Sequence, residues 1–292
     1  MGWLDANAVT LVNGVAEGML LYMMAAGLTL IFGLMDVLNL AHGAFFLFGS
    51  YVAFQFGRHG DNWLVAFGAA VLTGAVLGAI LAVATRPLAG RGHLDQALLT
   101  FGAAFVLTGL ASVIWGYGYQ SVSVPSVLDG SVSVFGHQYP TYRLAVIVAG
   151  LAVAVALFLV IERTSAGAIV RAAVADRDIL AAMGINVHLV MGLVFVVGAV
   201  VASVGGMIGS PILGVNPGVG DQVLLLALVV VTIGGLGSLK GALVGALLIG
   251  EVQAIGTALF PSFSAFLLFG AMAAILVVRP QGLFGLVRGT RT

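Results

Sequence analysis

The sequence predicts an all-α integral membrane protein: a polytopic bundle of eight or nine transmembrane helices, with a broken or re-entrant segment near 34–57. Three observations carry that prediction. First, 61% of the 292 residues are hydrophobic and 8% are charged, with a mean hydropathy of +1.17. A soluble domain carries about 25% charged residues, so this chain has too few polar groups to cover a water-facing surface. Second, long apolar stretches alternate with short polar loops, and a bilayer crossing needs ~20 such residues. Third, the seven prolines (Pro87, Pro125, Pro140, Pro211, Pro217, Pro261, Pro280) fall outside those stretches or at their ends. Proline breaks helices, so continuous helices are expected between them, and helices satisfy their own backbone groups in lipid.

The expected helical stretches are 10–33, 43–57, 64–84, 97–115, 142–161, 188–209, 222–239, 241–259 and 262–278. The second is short for a crossing. If it crosses, there are nine spans and the N-terminus lies outside; if it re-enters, there are eight and the N-terminus lies inside. Met1 to Thr10 carries no Lys or Arg, which favours nine and does not resemble a cleavable signal peptide. Positive charge is asymmetric. Arg86, Arg91, Arg163, Arg171, Arg177, Lys240, Arg279, Arg288 and Arg291 fall on one side; only Arg58 and Arg143 fall on the other. Nine against two marks the first side, with the C-terminus, as cytoplasmic. Glycines spaced by four (Gly14/Gly18, Gly74/Gly78, Gly205/Gly209, Gly237/Gly241/Gly245) let helix backbones approach closely. They point to one transmembrane domain over 1–292.

Several function classes lose support. Net charge is zero, so no basic face is offered to nucleic acid. There is no cysteine, and the five histidines show no ligand spacing, so no metal site is expected. The stretch 234–241 approaches a phosphate loop but places Leu239 where its second glycine belongs. No nucleophile elbow or other catalytic residue is expected. Ionisable groups inside the spans are Glu17 and Glu251, and such groups are functional candidates by default. Glu17 could instead snorkel toward the outer surface. Glu251 could face a pore or bond a neighbouring helix.

Three segments stand out. In 163–187, Asp176 suits an N-cap, Asp178 a helix's first turn and Gly184 a C′ position. A helix of about two turns between them would expose Ile179, Leu180, Ala182 and Met183, as suits insertion into a partner's groove. In 33–44, Asp36, Asn39 and His42 recur on one helix face between two apolar stretches, reading as a discontinuity at membrane depth. His42-Gly43-Ala44 is faintly echoed by Lys240-Gly241-Ala242. In the outer loop 116–141, Ser121–Val124 and Ser131–Val134 alternate around Asp129-Gly130, reading as a β-hairpin. Tyr117, Tyr119, Tyr139 and Tyr142 flank it at interface level.

The stretches GLTLIFGLMDVLNLAHGAFFLFGSYVA (27–53), RPLAGRGHLDQALLTFG (86–102), ERTSAGAIVRAAVADRDILAAMGINV (162–187) and TIGGLGSLKGALVGALLIG (232–250) resemble the branched-chain amino acid permeases of ABC importers, LivH type. The resemblance implies a non-catalytic permease domain forming half of an importer pore in a bacterial inner membrane. It implies a second, LivM-type permease, two cytoplasmic ATPase subunits and an extracytoplasmic binding protein as partners. ATP then binds those ATPases, and this chain carries no cofactor. It implies ATPase coupling through 163–187, with Arg171, Asp176, Asp178, Ile179, Leu180, Met183 and Gly184. Asn39, His42, Glu17 and Glu251 are the expected substrate-path residues. Members of such a family also move urea, short amides and small carboxylates, and an ion-coupled secondary carrier is a further alternative.

Overall fold

Apolar sequence of this length folds into helices, and the computed structural model describes them over residues 3–35, 39–57, 62–88, 92–134 and 136–285. Helices α1 (Trp3–Met35), α2 (His42–Gly57), α3 (Trp63–Thr85) and α4 (His93–Trp115) come first. A hairpin, β1 (Ser131–Val134) and β2 (His137–Pro140), leads into α5 (Thr141–Arg163), α6 (Ser165–Ala175) and α7 (Arg177–Ala182). Helices α8 (Val187–Leu213), α9 (Val219–Gly234), α10 (Leu239–Leu259) and α11 (Ser264–Val278) follow. Among the described residues, seven helices are long and apolar enough to cross a membrane. The two others on expected stretches, α2 and α9, have 16 residues each. At 1.5 Å per residue each reaches about 24 Å, short of a ~30 Å hydrocarbon core.

Lipid offers no hydrophobic drive between helices, so packing must come from close approach. The spaced glycines supply it. Gly14 and Gly18 lie against Glu251 and Ala246 of α10; Gly74 and Gly78 lie against Val200 and Ala199 of α8. Gly205 and Gly209 meet Met23 and Leu20 of α1, and Gly245 meets α9 at Val230. Helix α1 thus runs along α8 and α10, and α3 along α8. Helix α2 is buried from His42 through Phe54 and wedged against α8, α3 and α9. The outer faces of α3, α4 and α11 are apolar and exposed.

The break between α1 and α2 is deep. His42, the first residue of α2, touches Met24 and lies beside Gly27. Those residues precede the end of α1 by eight to eleven positions, about 12–17 Å along its axis. The chain therefore re-enters the bundle before α2 begins. Asp36 lies outside the described residues, as do Arg58, Arg91, Arg288 and Arg291.

Some expectations need correction. The hairpin pairs Ser131–Val134 with His137–Pro140, in the register Val134↔His137. Ser121–Val124 is not a strand: Pro125 ends it, and a 3-10 turn follows at Ser126–Leu128. Tyr139 and Tyr142 are buried, whereas Tyr117 and Tyr119 are exposed. Helix α8 continues through Pro211 to Leu213. The hydroxyl of Ser210 donates to the Met207 carbonyl, the one that Pro211 cannot serve, at 2.8 Å. Helix α9 stops at Gly234, short of the expected 239, because Gly235 adopts φ +97°, open to glycine without steric cost. Leu283 and Phe284 then donate their N–H groups to the Ile233 and Gly234 carbonyls, capping the helix end.

Candidate functional site

Asn13 and Glu17 are four residues apart on α1 and so share a face. That face meets the start of α5, the C-terminal end of α8, the first half of α9 and the second half of α10 around a cavity of ≈ 110 Å³. Glu17, Arg143 and Gln253 are its polar lining, and aliphatic side chains supply most of the rest. The volume is below the roughly 300–1,000 Å³ of sites that enclose drug-sized ligands. Arg143 is held in place. Its Nη1 donates to Asn13 Oδ1 at 2.6 Å, and Tyr139 Oη donates to the same oxygen at 3.0 Å. Burial pushes the Tyr139 phenol above its ordinary pKa, against the opposing pull of the Arg143 guanidinium. Tyr139 is therefore a protonated donor at neutral pH.

The expected path residues separate into two groups. Glu17 lines the cavity, and Glu251 lies on α10, the helix against which Gly14 and Gly18 of α1 pack. Glu251 Oε2 is buried against Gly14. Asn39 and His42 lie instead at the α1–α2 break, both buried. Asn39 Oδ1 accepts the Ala41 N–H at 3.1 Å, and Thr100 Oγ1 accepts the Leu40 N–H at 3.1 Å. His42 Nε2 meets the Met24 carbonyl at 3.2 Å, and its ring packs edge-on against Phe45. These contacts turn the chain and satisfy backbone groups that would otherwise be orphaned inside the bundle. Arg143 was legible only as an outer charge. The i, i+4 spacing of Asn13 and Glu17 was visible, but nothing marked their partner.

A second polar feature lies in 163–187. Asp176 Oδ1 accepts the N–H groups of Asp178 and Ile179, both at 3.0 Å. At the other end of α7, Gly184 has φ +79°. Its N–H reaches the Ala181 carbonyl, and the Ile185 N–H reaches that of Leu180, a Schellman cap. Ile179 and Met183, four apart, are 62% and 71% exposed, but Leu180 is 3% exposed. The expectation that Leu180 is presented outward is corrected: one turn of helix cannot show all sides, and this residue faces the bundle. Helix α6 was not anticipated. Thr164 caps it by accepting the Gly167 N–H at 3.1 Å. Arg171 ties it to the end of α5 by donating to the Ile161 carbonyl beside Glu162.

Among the described residues no cluster of His, Asp or Glu could hold a metal ion. A bundle with seven helices long and apolar enough to cross a bilayer, among the described residues, defines a class: a multi-pass membrane protein. Residues 10–278 match the family described as the branched-chain amino acid transport system permease component, and the chain belongs to that family. It is 30% identical to the high-affinity branched-chain amino acid transport system permease protein BraD of Pseudomonas aeruginosa, over 94% of each chain. It is 29% identical to the corresponding LivH protein of Escherichia coli K12, again over 94% of each. A probable branched-chain amino acid transport permease protein LivH of Methanocaldococcus jannaschii is 27% identical over 91% of this chain and 89% of that one. Among solved structures, PsaBC from Streptococcus pneumoniae in complex with Fab superposes with a TM-score of 0.48 at 14% identity, covering 91% and 89%; a likeness this distant carries nothing further.

Proposed function

We propose that this chain is a permease subunit of an ATP-driven importer and forms half of the path for branched-chain or related amino acids across a bacterial inner membrane. The family match over residues 10–278 carries this reading. The chain has no phosphate loop of its own, so the energy comes from elsewhere: two cytoplasmic ATPases, with a LivM-type permease as the other half and an extracytoplasmic binding protein as the supplier. Helix α7 is the part that meets an ATPase, with Ile179 and Met183 as the inserted residues and Asp176, Asp178 and Gly184 as its caps. Leu180 anchors that helix to the bundle, and Arg171 anchors α6 to α5. Glu17 and Glu251 belong to the path, whereas Asn39 and His42 hold the break that starts α2. The cytoplasmic side carries the C-terminus.

Co-purification from native membranes tests this. The expected complex contains a second permease and two ATPase subunits, and its reconstituted form imports leucine only with ATP and the binding protein. Uptake driven by a proton or sodium gradient without any ATPase would overturn the proposal.

A further inference from the structure

The chain holds one arrangement twice, in opposite directions. Helices α1, α2 and α3, a 3-10 turn at Arg86–Leu88 and α4 are matched later by α8, α9 and α10, a 3-10 turn at Pro261–Phe263 and α11. Helix α1 packs on α10 as α8 packs on α3, and α2 meets α9. Gly27, Met23 and Leu20 of α1 lie against Gly198, Gly205 and Gly209 of α8, so these two helices run antiparallel and the halves are inverted. The two breaks agree in detail. Asn39, His42 and Gly43 precede Asn216, Val219 and Gly220 by one constant interval, and α2 and α9 have 16 residues each. Asn39 Oδ1 accepts the Ala41 N–H at 3.1 Å and Asn216 Oδ1 the Gly218 N–H at 2.9 Å, in each case two residues on. Gly43 and Gly220 meet reciprocally: a Cβ on Gly43 would lie 2.5 Å from the Gly220 carbonyl oxygen, and one on Gly220 2.6 Å from that of Gly43.

The two breaks differ in one respect. The α8–α9 break borders the hollow through Ile212, Leu213, Val223 and Leu226. Phe46 and Gly49 of α2 are the counterparts of Val223 and Leu226 at the same interval, and they press instead on Gly206 and Ser203 of α8. The α1–α2 break is thus sealed, and it is sealed around polar groups. Asn39 and His42 are buried, as is Gln96 on the adjoining α4. Thr100, one turn from Gln96 on the same helix face, joins α4 to the break by accepting the Leu40 N–H. Asn39 Nδ2, His42 Nδ1 and Gln96 Oε1 have no hydrogen-bond partner. Buried polar atoms without partners are rare, and packing gives no reason for three of them at one break. Inverted repeats do give one. In transporters built this way the halves rock against each other around a site at their interface, so a hollow on one face has a counterpart on the other. We propose that the α1–α2 break is the second gate of the path, opening as a polar hollow on the opposite face when the hollow beside the α8–α9 break closes. Asn39, His42 and Gln96 then meet water and the polar groups of a passing solute; in the sealed state the same atoms stay unpaired. The gate rests on the permease reading above and adds to it a second opening and the residues that line it. In the orientation proposed there, it faces the cytoplasm.

The chain has no cysteine, so a single introduced thiol reports each gate. The assembled transporter, with its ATPases and binding protein, is placed in nanodiscs carrying Asn39→Cys, Gln96→Cys or Leu226→Cys in this chain. A charged, membrane-impermeant maleimide is the probe. Mass spectrometry of this chain reads the labelling rate without nucleotide and with ATP trapped by vanadate. The rate at Asn39→Cys should differ roughly tenfold or more between the two conditions, since a minor conformation is commonly ~0.1–10% populated. The rate at Leu226→Cys should change in the opposite sense. Gln96→Cys should follow Asn39→Cys, and it decides if Asn39→Cys does not assemble. Inner positions that stay unlabelled in both conditions, or label at one unchanging rate, overturn the gate; so does a change in the same sense at Leu226→Cys. A parental assembly in which ATP drives no import refutes the permease reading itself, a result obtained before any cysteine is introduced.

Discussion

Leu180 on α7 and Met183, the residue that caps its C-terminal end, lie three apart, and replacing each with alanine separates anchoring from coupling. Helix α7 has six residues, and isolated helices shorter than ~12–15 residues are marginal in water. It persists because Asp176 caps its start, Gly184 closes its end and Leu180 is buried. The Asp176 cap is worth about 1 kcal/mol. Leu180 is 3% exposed, and a buried Leu→Ala change costs about 2–5 kcal/mol in lost transfer energy and residual cavity. Each ~1.4 kcal/mol is tenfold in an equilibrium, so even the low end raises local opening roughly 30-fold. Met183 is 71% exposed, and a surface change of that kind stays within about 0.5 kcal/mol. Hydrogen exchange followed by mass spectrometry on a peptide spanning 177–185 reads this directly. Leu180→Ala should lose protection by that factor, and Met183→Ala should match the parental chain. In the reconstituted complex the Met183→Ala variant should still assemble but import leucine at a rate reduced roughly tenfold, since burying a Met against a partner is worth about 1.5–3 kcal/mol. Unchanged protection in Leu180→Ala would refute the anchoring argument. Parental uptake by Met183→Ala would refute the coupling argument.

Two other outcomes follow from the packing. A Cβ at Gly49 would collide with the backbone carbonyl of Ser203, whose Cα would be 2.8 Å away. Gly49→Ala should therefore lower the melting midpoint of the purified protein by overpacking, about 1–3 kcal/mol. Gly68→Ala, with nothing within 4 Å of the added carbon, should not. For Tyr139 the folded pKa is raised, so its contribution to stability is complete below the ordinary phenol value of about 10 and is lost as pH rises through the raised one. Stability measured by denaturation should be flat from this group at neutral pH and decline in alkali, and Tyr139→Phe should remove that part of the decline.

Much of the architecture was legible one residue at a time. Hydropathy located every long helix, and the spaced glycines marked helix faces that do touch: Gly14/Gly18 on α10, Gly74/Gly78 on α8. Asp176 and Gly184 were readable as caps because capping is a local contract between a side chain, or a left-handed backbone, and its own neighbours. The hairpin failed for the opposite reason. Ser121–Val124 alternates as β1 does, but alternation carries no information on pairing, and β1 pairs with His137–Pro140.

By itself the sequence determined the solvent of this protein and the placement of its long helices, since each depends on composition over about twenty residues. Only the tertiary structure decided that Arg143 and Tyr139 converge on Asn13, 130 and 126 residues away, that Leu180 turns inward, and that Asn39 and His42 lie apart from the Glu17 cavity. The physical reason is the solvent. A helix that is apolar all round, as a membrane span is, carries no amphipathic stripe to say which face is buried. Its neighbours are chosen by close packing with distant parts of the chain.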